Sequence, residues 1–249
     1  MLITKDNKMG DIILHDHQLL AVLNRFDIKL GFKEKTVEEV CLIHDINTDF
    51  FLEIANAFHD NNFFTEKKLK SFSLKLIIEY LRKSHDFYID KKIPEIEGLI
   101  NTLKYNNDNE KFSAIVKKFF KEYVDELESH IKREEVSVYP YVVEIEKAVL
   151  TKTISTELFN KIKEHSIIRY KDEHDNIEEK LFDLKNIIIK YLPPPENSDV
   201  CNTILAKLFR LEEDLNDHSK IENKVMIPSA YEMEKEIMKL YNQERIKLD

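Results

Sequence analysis

Two stretches, HIKREEVSVYP at residues 130–140 and HSKIENKVMIP at residues 218–228, decide the fold of this chain. Both follow the pattern His-x3-Glu-x5-Pro, so the same motif occurs twice at identical spacing. A lone His-Asp pair precedes each stretch: His85 lies 45 residues before His130, and His174 lies 44 residues before His218. The repeat predicts two similar hairpins.

Long amphipathic segments follow residue 66, separated by polar or proline-rich stretches at 105–110, 150–156 and 191–198. In antiparallel helices, residues equally far from the joining turn lie at the same level. The midpoints between successive histidines are 107.5, 152 and 196, each inside one of these stretches. The sequence therefore predicts an all-α, up-down-up-down four-helix bundle over residues 66–249, with four histidines at one level. Pro94, Pro140 and Pro228 are expected to kink or end its helices.

Residues 1–65 are predicted to form a small helical N-terminal domain. Helical apolar spacing occurs in IILHDHQLLAVLNRF at 12–26, and FFLEIANAF follows Asn47 and Thr48. Thr36 and Glu39 have the spacing of a capping box.

The composition narrows the class of protein. The chain has 249 residues, of which only 3 are Gly and 34% are charged, and this composition favours helices. The net charge of -9 argues against a protein that binds the phosphates of nucleic acid. Two cysteines, Cys41 and Cys201, are too few for a disulfide scaffold, which fits a reducing compartment. No signal peptide or long apolar run is evident, so we expect a soluble, cytoplasmic protein with no membrane partner.

The spacing also predicts a metal site. Residues four apart on a helix differ by about 40°, so His130 with Glu134, and His218 with Glu222, can each aim at one point. Together with the lone histidines His85 and His174, these residues make six candidate ligands. Six ligands are too many for one tetrahedral zinc ion and suit two first-row metal ions, of which iron is favoured. We expect two bridging carboxylates, an oxo or hydroxo bridge and one open position per ion for a small diatomic. The predicted ligands are His85, His130, Glu134, His174, His218 and Glu222.

Several other polar residues near the predicted ligands are not expected to bind the metal. His165 is nine residues before His174 and is placed on the opposite helix face, and Glu178 is left outside the ligand set. The aspartates beside the histidines are interpreted as solvated charges, and the bundle tyrosines, including Tyr139, as packing residues. The aspartates are Asp86, Asp175 and Asp217, and the other tyrosines are Tyr80, Tyr88 and Tyr123.

With these residues in place, the chain resembles the hemerythrin-like di-iron proteins of the repair of iron centres family. The resemblance rests on SHDFY with a later IPEI, on ESHIKREEVSVYP, on EHDNIEEKL followed by PPPE, and on NDHSKIENKVMIP. It implies the same six iron ligands and a role in iron-sulfur cluster repair under nitrosative and oxidative stress. The stretch at 9–40 resembles the small N-terminal domain of that family, but residues 30–34 read LGFKE where adjacent cysteines are usual.

Four functions stay open at this point. The resemblance favours a di-iron stress protein that protects or repairs the clusters of damaged iron-sulfur proteins, and a sensor or carrier of oxygen or nitric oxide is the main alternative. A metal-free interaction module and a ferritin-type oxidase are weaker, because buried polar groups without partners are costly and such oxidases use more carboxylates. The sequence assigns no catalytic residue and leaves the oligomeric state open, a dimer included.

Overall fold

A computed structural model describes residues 2–60, 63–105, 111–172 and 177–246, with the backbone alone at 171–172, 177–178 and 244–246. Within these ranges the chain is helical, with isolated bridges in place of strands. The predicted all-α class is confirmed. The division at residue 65 stays a prediction.

The first part of the chain folds into short helices: α1 (Met9–His15), α2 (Leu19–Arg25), α3 (Val37–Ile43), α4 (Thr48–His59) and α5 (Glu66–Leu69). The capping box is confirmed, because the Thr36 hydroxyl accepts from the Glu39 amide at 3.2 Å and the Glu39 carboxylate accepts from the Thr36 amide at 2.8 Å. Asn47 caps α4 in the same way through the Phe50 amide. These caps fix where the helices begin.

Four helical segments form the bundle. The first contains α6 (Leu74–Phe87) and α7 (Ile93–Thr102), and the second α8 (Lys111–Arg133) and α9 (Tyr139–Thr151). The third contains α10 (Thr156–Glu164), α11 (Ile167–Asp172) and α12 (Ile177–Asn186), and the fourth α13 (Ser198–Ile221) and α14 (Ile227–Ile246). Near one end α7, α8, α12 and α13 pack together, and near the other α6, α9, α11 and α14 do.

The helical segments continue through the prolines and do not end at them. Pro94, Pro140 and Pro228 are each the second residue of an α-helix that directly follows a π-helical turn. Proline lacks an N–H and its ring clashes with the carbonyl four residues earlier, and a wider turn relieves that clash. The turns span Tyr88–Lys92, Glu134–Val138 and Glu222–Met226, and a fourth spans Ile187–Tyr191.

The third segment differs from the predicted long helix, because it breaks at His165 and Ser166 between α10 and α11. The buried carboxylate of Glu234 on α14 accepts hydrogen bonds from the Ser166 hydroxyl at 2.6 Å and from the Ile167 amide at 2.7 Å. These bonds satisfy polar groups at the start of α11 that a continuous helix would pair internally.

Buried apolar side chains form two clusters, one toward each end of the bundle. The first cluster combines the N-terminal helices with α6, α9, α10 and α14, and includes Phe50, Leu81 and Ile145. The second lies among α7, α8, α12 and α13, and includes Ile96 and Leu208. Buried polar residues, among them His85, Glu134 and Glu222, lie where α6, α8 and α13 end, between the two clusters. We call this level the polar waist.

No helix in the described part of the chain combines the length and the apolar character needed to cross a bilayer.

Candidate metal centre

Three buried side chains from three different segments meet at the polar waist. Donor atoms of His85, Glu134 and His218 all lie within 4.8 Å of one another. His85 Nε2 is 3.2 Å from His218 Nε2 and 3.1 Å from Glu134 Oε2. Their lone pairs therefore converge on a common volume.

The other two predicted ligands that the structure describes lie against this group. His130 Nε2 is 2.9 Å from Glu134 Oε1, and His218 Nε2 is 3.6 Å from Glu222 Oε1. Each histidine thus meets the glutamate four residues later, as the helical spacing predicts. Both carboxylates are fully buried.

A tyrosine hydroxyl contacts each of the two carboxylates. Tyr139 donates to Glu222 Oε1 at 2.7 Å, and Tyr170 donates to Glu134 Oε1 at 2.5 Å. The ring of Tyr139 also stacks on His85 at an interplanar angle of 4° with 5.5 Å between centroids. The phenols therefore close the site toward α9 and α11.

Hydrogen bonding holds charge at the waist. Burial opposes protonation of His85, but its hydrogen bonds to Glu134 and Glu135 outweigh that effect and raise its pKa to about 9. Burial and the neighbouring Glu222 oppose ionisation of Glu134, yet hydrogen bonds from His130 and His85 keep its pKa below the ordinary value. Burial, with the adjacent carboxylates, raises the pKa of the Tyr139 phenol, so it remains a donor.

This donor set fits a metal cation. Imidazole nitrogens and carboxylate oxygens are the ligands of first-row metals, and a buried carboxylate is costly without a compensating charge. Two imidazole Nε2 atoms facing each other at 3.2 Å, with a carboxylate oxygen beside them, can satisfy one ion together. His85 and Glu222 belong to different segments, so a bound ion would tie the segments together.

Not every predicted residue lies in the part of the chain that the structure describes. His174 and Asp175 lie outside the described residues, as does the side chain of Glu178. His165 is exposed at the break before α11, so the break rather than a helix face sets its position. Asp86 is exposed as expected, whereas Asp217 is partly buried and lines a small apolar cavity with Phe58 and Ile221.

The sequence did not predict that Glu135, Tyr139 and Tyr170 contact the proposed ligands. Glu135 accepts from His85 Nδ1 at 2.8 Å and is itself held by Arg82 at 2.8 Å, which is the usual way to orient a metal-binding imidazole. The Glu134-Glu135 pair in the repeat is the signal that could have found it. Tyr170 lies four residues before His174, the same spacing that pairs His130 with Glu134.

The sequence predicts Tyr139 to be a packing residue, whereas in the structure its hydroxyl contacts Glu222. In a regular α-helix Tyr139, five residues after Glu134, would point about 140° away from it. The π turn at Glu134–Val138 lies between them, and in such a turn residues five apart are hydrogen-bonded neighbours. The turn therefore brings the phenol to the interior side.

Residues 76–230 match the Hemerythrin HHE cation binding domain. The chain belongs to this family. The match spans every one of the six predicted ligands and ends two residues after Pro228. A cation-binding domain of this family thus coincides with the buried histidine and glutamate cluster at the polar waist.

Two relatives align with the chain over most of their length. The chain is 22% identical over 200 residues to the iron-sulfur cluster repair protein ScdA of Staphylococcus haemolyticus, covering 80% of this chain and 82% of the relative. It is 21% identical over 230 residues to the iron-sulfur cluster repair protein YtfE of Salmonella paratyphi B, covering 91% of this chain and 97% of the relative. The likeness includes the N-terminal helices.

Proposed function

We propose that this hemerythrin-domain protein holds two iron ions at the polar waist and works in the repair or protection of iron-sulfur clusters under nitrosative or oxidative stress. The observation that carries the proposal is the buried group of His85, Glu134 and His218 in a chain whose relatives are named iron-sulfur cluster repair proteins. A cytoplasmic location fits such a role.

The proposed ligands are divided between two ions. His85 and His218 face each other, while His130 faces Glu134 from the other side, so imidazoles approach the carboxylates from two directions. Glu134 contacts both His85 and His130, so it would hold iron together with imidazoles from two helical segments. His174 completes the set on the sequence argument alone.

When bound, iron would supply redox exchange and a coordination position for a small ligand such as nitric oxide or oxygen. The chain's own residues orient the ligands and exclude water. Glu135 holds the His85 ring, and Tyr139 covers that ring on one face. The flanking apolar clusters keep the waist buried.

The thiols lie outside this chemistry. Cys41 packs in the N-terminal core and Cys201 lies at the start of α13, 17 residues before His218. A repair function in this chain therefore depends on the waist residues rather than on a cysteine pair.

The test uses a [4Fe–4S] hydratase inactivated by nitric oxide. The iron-loaded protein should contain about two irons per chain and restore hydratase activity, and Glu134→Ala should abolish the recovery while His165→Ala retains it. If the iron-loaded protein binds nitric oxide yet restores nothing, the function is that of a sensor or carrier. A wild-type protein that takes up no iron would contradict the metal centre itself.

A further inference from the structure

The two phenols at the waist are arranged alike although they come from unrelated positions. Tyr139, from the first turn of α9, reaches across to Glu222 on the fourth segment. Tyr170, from α11 on the third segment, reaches Glu134 on the second. Each hydroxyl therefore binds a carboxylate that belongs to a different helical segment.

Packing alone does not account for tyrosine at these positions. The residue before the repeated proline is Tyr139 in the first repeat and Ile227 in the second. The residue four before the lone histidine is Tyr170 in the third segment and Leu81 in the first. Ile227 and Leu81 are buried, so an apolar side chain fills the equivalent place. What the tyrosines add is a hydroxyl.

We propose that Tyr139 and Tyr170 are positioning residues of the metal centre, each donating a hydrogen bond that holds one carboxylate and withdraws negative charge from it. This inference rests on the proposed function only in requiring iron at the waist. It concerns how the iron is held and poised, not which protein is repaired.

Two measurable consequences follow from such donors. Hydrogen bonds to ligands fix their orientation, and losing one such partner typically lowers metal affinity about 10- to 100-fold. A carboxylate that accepts a phenol hydrogen bond also donates less charge to its ion, which favours the lower oxidation state. Removing the hydroxyl should therefore lower the reduction potential of the iron.

The chain offers a matched control. Tyr141 lies two residues after Tyr139, is also buried, and donates to the buried Glu234 at 2.7 Å, the distance found between Tyr139 and Glu222. Glu234 is not a proposed ligand, and it keeps its bonds to the Ser166 hydroxyl and the Ile167 amide when the Tyr141 hydroxyl is removed. Tyr141→Phe thus removes a bond of the same kind from the same helix without touching the waist.

The experiment compares Tyr139→Phe, Tyr170→Phe and Tyr141→Phe in the full-length, iron-loaded protein by chelator competition and potentiometric titration. We expect the first two variants to lose affinity about tenfold or more and to shift to lower potential, with Tyr141→Phe unchanged in both. Wild-type affinity and potential in both waist variants would overturn the inference. So would equal changes in all three.

A second measurement on the wild-type protein guards against variants that fold poorly. If the phenols are neutral donors, the ferric protein shows no visible phenolate-to-iron charge-transfer band. A band that Tyr139→Phe or Tyr170→Phe removes would make that tyrosine a direct ligand and overturn the donor role. A wild-type protein without iron would instead refute the proposed function, and this inference with it.

Discussion

Glu134 and Glu222 are the residues on which the proposed centre depends most, because each is fully buried and contacts a histidine one turn earlier. A carboxylate in such a place needs a positive partner. His165 offers a natural comparison, since it is an exposed histidine in the same bundle.

We predict that His218→Ala or Glu222→Ala lowers the iron content from about two per chain to below one. The remaining ligands leave each ion with too few donors from the protein. His165→Ala should keep the wild-type content. Iron is measured after desalting, and equal loss in all three variants would refute the assignment.

The thiols are predicted to be unreactive in the folded protein. Burial raises the pKa of the Cys41 thiol to about 11, and burial also raises that of Cys201, so little thiolate forms near neutral pH. A disulfide reagent should label neither thiol quickly until denaturant is added. The double Cys→Ser variant should keep its iron, and loss of iron from it would show a role for sulfur.

Helical spacing predicted which residues pair at the site, because His-x3-Glu fixes a shared helix face whatever the surroundings. It could not predict Tyr139, since the π turn at Glu134–Val138 changes the facing of later residues. The Glu134-Glu135 pair marks Glu135 as a candidate, but its partner His85 lies 50 residues away, so spacing within one helix could not assign its role.

At the scale of elements, one buried carboxylate joins the first two bundle segments. Glu146 on α9 accepts from the Leu74 amide at 2.6 Å and the Lys75 amide at 2.9 Å, at the start of α6. These are orphan donors of a helix N-terminus, and a negative charge there also suits the helix dipole.

We predict that Glu146→Ala lowers the free energy of unfolding by about 2 kcal/mol, because two buried amides lose a charged acceptor. Glu144→Ala, on the same helix, should change it by less than about 0.5 kcal/mol, since its ion pair with Lys161 is exposed. Urea titrations monitored by circular dichroism would measure both. A similar cost for both would contradict the capping role.

The four segments were predictable because the loops carry clear proline and polar signals. The break before α11 was not, since it depends on Glu234 of the fourth segment reaching Ser166 and Ile167 of the third. The sequence predicts that the prolines kink or end the helices, but not that a π turn precedes each of them. The type of turn depends on how the chain relieves the clash.

Across the whole molecule, the N-terminal helices and the bundle share one apolar cluster. A buried ion pair reinforces it: Arg25 on α2 pairs with Asp214 on α13 and donates to the Tyr80 and Tyr88 hydroxyls at 3.1 and 3.3 Å. Asp214 lies one turn before His218, so the N-terminal helices brace the helix that carries a proposed ligand.

We predict that Arg25→Met lowers the free energy of unfolding by about 3 kcal/mol, because it leaves the largely buried Asp214 carboxylate without its cation. Lys5→Met, which removes an exposed pair with Glu38, should cost under about 1 kcal/mol.

Since the apolar cluster is shared, thermal unfolding should show one transition. Two separate transitions would show that the parts before and after residue 65 unfold independently.

The polar waist also bears on how long a copy of this protein survives in a cell. Buried carboxylates and imidazoles between two apolar clusters weaken the apo state, whereas an ion that binds only the folded chain stabilises it, by about 2.7 kcal/mol at 100 times its dissociation constant. Proteases degrade the unfolded fraction, so iron supply would set the abundance of the protein as well as its activity. Iron-starved cells would then hold fewer copies at unchanged synthesis.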